Sequence, residues 1–309
     1  VERLQPNIVV IGGSAGAIRP LREILASLPA AMAVAVAAFV VVHTRPDAPP
    51  TLASLLGRAG PLKVKNAEDH ETIASGTVLV APPDRHLVIK EGFVRLIRSP
   101  RENLWRPAVD VLFRSAAVAH GSRAIGVILS GALDDGSAGI SAIKRCGGTA
   151  IVQSPTDAQF SEMPRSAIRS AHVDYVVPHR EIAAAIESAL GEEPQSRLVP
   201  EELVVEAQFA EGQFAERMTG SLLGGASVPA LLPPTPGGAD SLQAALWAAI
   251  RHLEHRANTH WMLASEYKCR GLARAAEIYG QRAHEAQAHA DQLRKLLLEY
   301  VRSGPVVVA

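Results

Sequence analysis

The sequence holds 309 residues, a length that suits about two domains of ~150 residues each. Hydrophobic residues make up 48% and charged residues 20%, which supplies a packed core and excludes general disorder. Lysine plus arginine and aspartate plus glutamate each number 31, which argues against a general polyanion or nucleic-acid binder, and the two cysteines, Cys146 and Cys269, cannot frame a disulfide scaffold or a Cys-rich zinc site.

In chain order, the opening residues VERLQP show no signal-peptide pattern. Asn7–Ile11 is a β-branched run that predicts a strand. Gly12-Gly13-Ser14-Ala15-Gly16 follows, and the pattern of Arg19–Leu28 predicts a helix after it. The apolar stretch Ala30–Val42 is too short to span a bilayer, so a soluble, reduced, cytoplasmic protein is expected. Further strands are predicted at Phe39–His43, Thr77–Ala81, His86–Ile89, Ala124–Ser130, Gly148–Gln153 and Tyr175–Val177. Helices are predicted at Ala108–Ala119, Gly139–Arg145, Glu162–Ser170 and Arg180–Leu190. Gly92–Phe93, between His86–Ile89 and Val94–Ile97, marks a hairpin inserted in this plan. The alternation predicts an α/β fold: a doubly wound, mostly parallel sheet with helices on both faces.

After this domain, residues 1–190, composition changes. Residues 191–239 include VPALLPPTPGGAD and read as a Pro/Gly-rich linker, with room for a short helix around Glu201–Met218. Residues 240–309 are helical by pattern. Leu246, Ile250, Leu253, Ala257, His260, Ala264 and Tyr267 repeat at four-three spacing, Gly271 interrupts, and Leu272 to Tyr300 resume it. That pattern gives an antiparallel hairpin with an alanine-rich seam, or a longer helix that pairs with a second copy as a homodimer.

Three strand ends hold the chemistry. Gly12–Gly16 reads G-x-S-x-G between a strand and a helix, the sharp turn that exposes a serine nucleophile. A Gly-rich first turn also suits a phosphate. A dinucleotide fingerprint would need glycine where Ser14 stands and an acid ~20 residues on, and this sequence has neither. The second strand ends at His43, and Val127–Ser130 runs into Asp134 and Asp135. A serine needs a base to take its proton and a carboxylate to orient that base, so Ser14, His43 and one of the two aspartates form a candidate triad.

Several segments then match one family in order and spacing. IGGSAGA, VVHTRP, VLVAPPDRHL, WRPAVDVLFRSAA, GVILSGALDDGSAGISAIKRCGGTAIVQ and EMPRSAI resemble the catalytic domain of the CheB-type chemotaxis protein-glutamate methylesterases, over about Asn7 to Val177. The resemblance implies Ser14 as nucleophile, His43 as base and Asp135 as the orienting acid, with Asp134 at a variable position. It implies the backbone N–H groups of Ala15 and Ala132 as oxyanion donors. It also implies hydrolysis of glutamate γ-methyl esters, and deamidation of glutamine, on the cytoplasmic helices of methyl-accepting receptors or a related signalling protein. No cofactor and no metal are implied.

Three positions depart from the family: Ala132 where methionine is frequent, Leu133 where a small residue is usual, and Trp105 where histidine is common. Arg106, Trp105 and Met163 are candidates for substrate binding. Asp110 reads as an acid complementing a helix N-terminus. The chain begins almost at the first strand, so a free-standing enzyme without a receiver domain is expected. The tail histidines His252, His255, His260, His284 and His289 lack the companions of a metal site and read as surface or seam residues. The alternative function is a non-catalytic signalling or scaffold module that keeps the methylesterase fold.

Overall fold

The computed structural model describes residues 7–192 except 58, 100 and 104, then 199–200, 203–204 and 207, and in the C-terminal part 250, 253–254, 257, 261, 264, 268 and 273–303. Most of the expected linker lies outside these residues, as do Trp247, Cys269, His252, His255 and His260.

The chain forms two compact units, Val1–Gly212 and Gln213–Ala309. The first is built on a seven-stranded, wholly parallel sheet. Its strands are β1 (Asn7–Gly13), β2 (Val36–Val42), β3 (Lys63–Asn66), β4 (Thr77–Val80), β7 (Ala124–Ile128), β8 (Thr149–Gln153) and β9 (Tyr175–Val177). Across the sheet the order is β3-β4-β2-β1-β7-β8-β9. The chain therefore winds outward from β1 to one edge, then returns to β7 and winds to the other. The crevice between β1 and β7, at the carboxyl ends of the strands, is the switch point where such folds place their sites.

The central strands are apolar and largely β-branched because both of their faces are buried. Ile8 and Val10 belong to one apolar layer with Phe39, Leu112 and Phe113. Val9 and Ile11 belong to the other with Leu21, Ile24, Leu25 and Leu56. This double burial produces the near-continuous apolar runs that announce parallel strands. The sequence pattern misses β3, Lys-Val-Lys-Asn, because an edge strand carries polar residues that discourage further pairing. It also misses the short helix α2 (Leu52–Leu56). The expected hairpin forms as β5 (His86–Ile89) and β6 (Val94–Ile97), in a small sheet of its own.

Helices α1 (Ile18–Ser27), α3 (Val109–His120), α4 (Ser137–Arg145), α5 (Glu162–Ser170) and α6 (Ile182–Gly191) flank the large sheet. Helix α3 matters most for the site. Gly12 has no side chain where Val109 packs; an added Cβ would lie 2.2 Å from Val109 Cγ1. That close approach seats the first turn of α3 against the end of β1. Residues beyond α6 add to this unit: Leu203 is buried in the same layer as Leu112, with Val199 packed on it. Part of the segment expected as linker therefore contributes to the first core.

The described residues of the second unit are helical. The C-terminal helix runs from Ala273 to Ser303 and buries Ala283, Ala286 and Ala290. Ile250, Ala257 and Ala264 are buried as well. Arg294 pairs with Glu254, and Trp261 meets His284 edge-on at 4.6 Å. Those two contacts run in opposite chain directions, as in an antiparallel pairing. Among the described residues, no helix is long and apolar enough to cross a membrane.

Candidate active site

The site grows from three neighbouring strand ends. After β1 the chain turns sharply through Ser14, with Gly16 at φ +77°. Ser14 N–H donates to Ser130 O at 3.0 Å, fastening the turn to the segment after β7. His43, one residue past β2, donates its backbone N–H to Gly13 O at 3.2 Å. Asp135 lies in the loop from β7 to α4, next to Gly136, which adopts φ +95°.

These backbones bring the predicted side chains together. His43 Nδ1 is 3.1 Å from Ser14 Oγ, and His43 Nε2 is 2.6 Å from Asp135 Oδ2. In this arrangement Nε2–H donates to the carboxylate, which leaves Nδ1 to accept the serine proton. The side chains of His43 and Asp135 are 2% and 1% exposed. Of the two adjacent aspartates, the structure selects Asp135. Asp134 instead accepts Ser137 N–H with its backbone carbonyl.

Asp135 is gripped from four sides. Besides His43, it accepts Val109 N–H at 2.7 Å, Asp110 N–H at 3.1 Å and Asn103 Nδ2–H at 2.9 Å. The two backbone donors are the unpaired N–H groups of the first turn of α3, so the positive end of that helix faces the carboxylate. Burial alone would raise this acid. The hydrogen bond and charge of His43, with Val109 and Asn103, outweigh it and hold Asp135 below the usual carboxylate range.

Asp110 has the opposite fate. Burial, and then the negative charges of Asp135 and Glu102, push its carboxyl well above the usual range. Its Oδ1 accepts Gly139 N–H at 2.6 Å and its Oδ2 accepts Asn103 Nδ2–H at 2.7 Å. Burial and like charge thus press the two neighbouring carboxyl groups in opposite directions. Asp110 does stand in a helix N-terminus, as the sequence suggests, and it is also joined to the triad acid through Asn103.

The second wall of the site is the loop Gly131–Asp134. Gly131 N–H donates to Phe160 O, Gly131 O accepts Met163 N–H, and Leu133 N–H donates to Glu162 Oε2 at 2.8 Å. Leu133 is exposed at φ +66°, a strained conformation for leucine that these contacts maintain. A Cβ on Gly131 would lie 2.0 Å from Met163 Sδ and 2.9 Å from Ser14 Cβ, so only glycine fits there. Ser130 N–H donates to Gln153 Oε1 at 2.8 Å, and Ser130 Oγ donates to Ala15 O. Nucleophile turn and facing loop are therefore one hydrogen-bonded body.

The remaining sequence candidates fall differently. Met163 is fully buried beneath Gly131 and supports the loop, presenting no surface to a ligand. Arg106 is committed to Asp84 Oδ1 and to Ser99 O at 2.7 Å. Trp105 stacks on His43, ring centroids 4.3 Å apart and planes 10° from parallel. Asn103, Gln153 and Glu162 escape sequence reading because each acts through a long-range contact with no local pattern. Among the described residues, no group of three His, Cys, Asp or Glu side chains is placed to hold a metal ion.

The chain is similar to known proteins of one family. The model of the family described as CheB methylesterase matches residues 9–186. A putative protein-glutamate methylesterase/protein-glutamine glutaminase of Leptospira interrogans is 40% identical over 176 residues, 57% of this chain and 90% of that one. The protein-glutamate methylesterase/protein-glutamine glutaminase of Geobacillus kaustophilus is 40% identical over 195 residues, and the match spans 62% of this chain but about half, 55%, of that protein. The crystal structure of the Thermotoga maritima CheB methylesterase catalytic domain superposes with a TM-score of 0.57 at 36% identity, covering 61% of this chain and 99% of that one.

Proposed function

This chain belongs to the CheB methylesterase family, and from that premise we propose that it is a serine esterase that hydrolyses glutamate γ-methyl esters on the cytoplasmic helices of methyl-accepting receptors or related signalling proteins. The observation that supports this reading most is the unbroken relay from Ser14 Oγ to His43 to Asp135, at 3.1 and 2.6 Å.

Ser14 Oγ attacks the ester carbonyl carbon as His43 Nδ1 takes its proton. Asp135, kept ionised by its four donors, stabilises the imidazolium and holds the ring's tautomer. The carbonyl oxygen, now negative, is received by the backbone N–H groups of Ala15 and Ala132, the oxyanion donors of this reading. His43 then gives its proton to the departing methoxide, methanol leaves, and a γ-glutamyl-Ser14 ester remains. Water attacks that ester by the same route in reverse and frees the carboxylate. With a glutamine side chain the leaving group is ammonia, and the steps are otherwise the same. We assign the reaction to the domain expected at 1–190 and place it in the cytoplasm, where such receptor helices lie.

The test is methanol release from methylated receptor cytoplasmic fragments, comparing the native chain with Ser14→Ala. Native release together with a fall of at least about 10³-fold in the variant is expected. A folded native chain that releases no methanol from any fragment, and whose Ser14 resists a phosphonate label, overturns the esterase reading. That result favours the scaffold alternative.

A further inference from the structure

The segment between β6 and α3 supplies no strand end, yet it touches the triad twice. Glu102 and Trp105 close a tight turn on each other: Glu102 N–H donates to Trp105 O at 3.1 Å and Trp105 N–H to Glu102 O at 2.9 Å. Asn103 lies within the turn at φ +50°, a conformation that requires outside support. Three side chains leave the turn toward three partners. The buried Glu102 carboxylate pairs with Arg114 of α3. The Asn103 amide spans Asp110 and Asp135. The Trp105 indole lies flat on the imidazole of His43.

The stack supplies something the relay lacks. The bonds from Ser14 and Asp135 meet His43 at its two ring nitrogens and cover neither face of the ring. A flat surface at 4.3 Å, within 10° of parallel, restrains side-chain rotation that would carry the nitrogens off their partners. It also covers one face of the ring, and an indole face attracts the imidazolium that forms when Ser14 loses its proton. The turn that presents Trp105 is itself anchored through Glu102 to the helix whose first turn holds Asp135.

We propose that Trp105 is a positioning residue for His43, and that the turn Glu102–Trp105 is a fourth structural element of the triad that fixes base and acid together. This rests on the esterase reading above. It differs from the sequence expectation that Trp105 binds substrate, and the two separate kinetically. A substrate contact acts on KM. A residue that orients the base acts on kcat, and also on any small reagent that uses the same nucleophile.

The experiment uses the full chain, with Trp105→Ala and Trp105→Phe, and two readouts. The first is the rate of covalent labelling of Ser14 by a small fluorophosphonate, followed by intact mass; the reagent has no peptide that Trp105 could bind. The second is kcat and KM for methanol release. Trp105→Ala is expected to slow labelling and lower kcat by about 10–100-fold with KM within about threefold. Trp105→Phe, which keeps a flat ring, is expected to recover to within about fivefold of native. Should Trp105→Ala fail to fold by circular dichroism, Trp105→Leu takes its place, with apolar bulk but no flat face. Native labelling rate in the Ala or Leu variant, an effect confined to KM, or no rescue by Phe each overturns the proposal while leaving the esterase intact. A native chain that neither labels nor releases methanol overturns the esterase reading, and this proposal with it.

Discussion

Helix α3 buries ionisable groups at both ends, and Asp135 at one end and His120 at the other are treated in opposite ways. At its N-terminus, Asp135 and Asp110 receive donors from Val109, Asp110, Asn103, Gly139 and His43. At its C-terminus, His120 is buried and held near neutrality of charge: burial, then the charge of Arg123, lowers it to about 4, against the weaker pull of Glu91 and the Lys90 backbone. The charge of Asp135 is kept because donors and His43 converge on it, whereas burial presses His120 toward its neutral form. The first arrangement belongs to a site. The second is a stability device with an acid limit.

The largest expected effect is at the N-terminal end. Asp135→Asn places an amide where an ionised carboxylate accepts Nε2–H of His43. The ring then favours the tautomer that cannot accept the Ser14 proton, and kcat should fall by about 10⁴-fold. Steady-state methanol release measures this, with the urea midpoint as a check on folding. A loss under tenfold would show that the donors around Asp135 serve the fold more than the reaction.

The C-terminal end should respond to pH rather than to substrate. His120 has a folded value of about 4 against 6.5 when unfolded, so the unfolded chain binds its proton first as pH falls. Stability from this residue is whole above 6.5, declines between 6.5 and 4, and is gone below 4. The difference corresponds to roughly 3 kcal/mol. Urea melts at pH 7.5 and 4.5 should show a smaller loss in His120→Gln than in the native chain, with equal methylesterase activity of both at pH 7.5. Equal losses would show that His120 does not govern the acid limit.

Asn103→Ala comes next. It removes one amide that donates to both carboxyl groups and leaves two buried acceptors short of a partner. A fall in kcat of about 10–30-fold is expected, measured as for Asp135. The residue also marks where sequence reading stops. Ser14, His43 and Asp135 are legible because each follows a buried β-branched run, so strand pattern and motif point to one sheet edge. The parallel sheet is legible for the same reason, and β3 is not because its lysines lack that pattern. Asn103 and Trp105 stand in a loop with no period, and their roles exist only once the fold sets them against residues 32 and 62 positions away, Asp135 and His43. The alanine seam of the C-terminal helix is legible as heptads, whereas the antiparallel sense of the contacts of Arg294 with Glu254 and Trp261 with His284 is not.

The smallest expected effect comes from making the Asp135 substitution on its neighbour. Asp110→Asn also replaces a buried carboxyl at the N-terminus of α3 with an amide, yet Asp110 is pushed well above the usual carboxylate range by burial and by the charge of Asp135. Its neutral form is favoured, so an amide resembles it more closely than it resembles the ionised Asp135. The cost is one acceptor: the new NH₂ cannot serve both Gly139 N–H and Asn103 Nδ2–H as the two oxygens do. One weakened hydrogen bond of about 1 kcal/mol corresponds to a fall in kcat of about fivefold. The contrast with Asp135→Asn is the sharpest measure of the site's electrostatics, because the two changes are chemically identical and the positions are joined by a single amide. A loss at Asp110→Asn as large as that at Asp135→Asn would mean that both carboxyl groups are ionised, and that the pocket balances two negative charges rather than one.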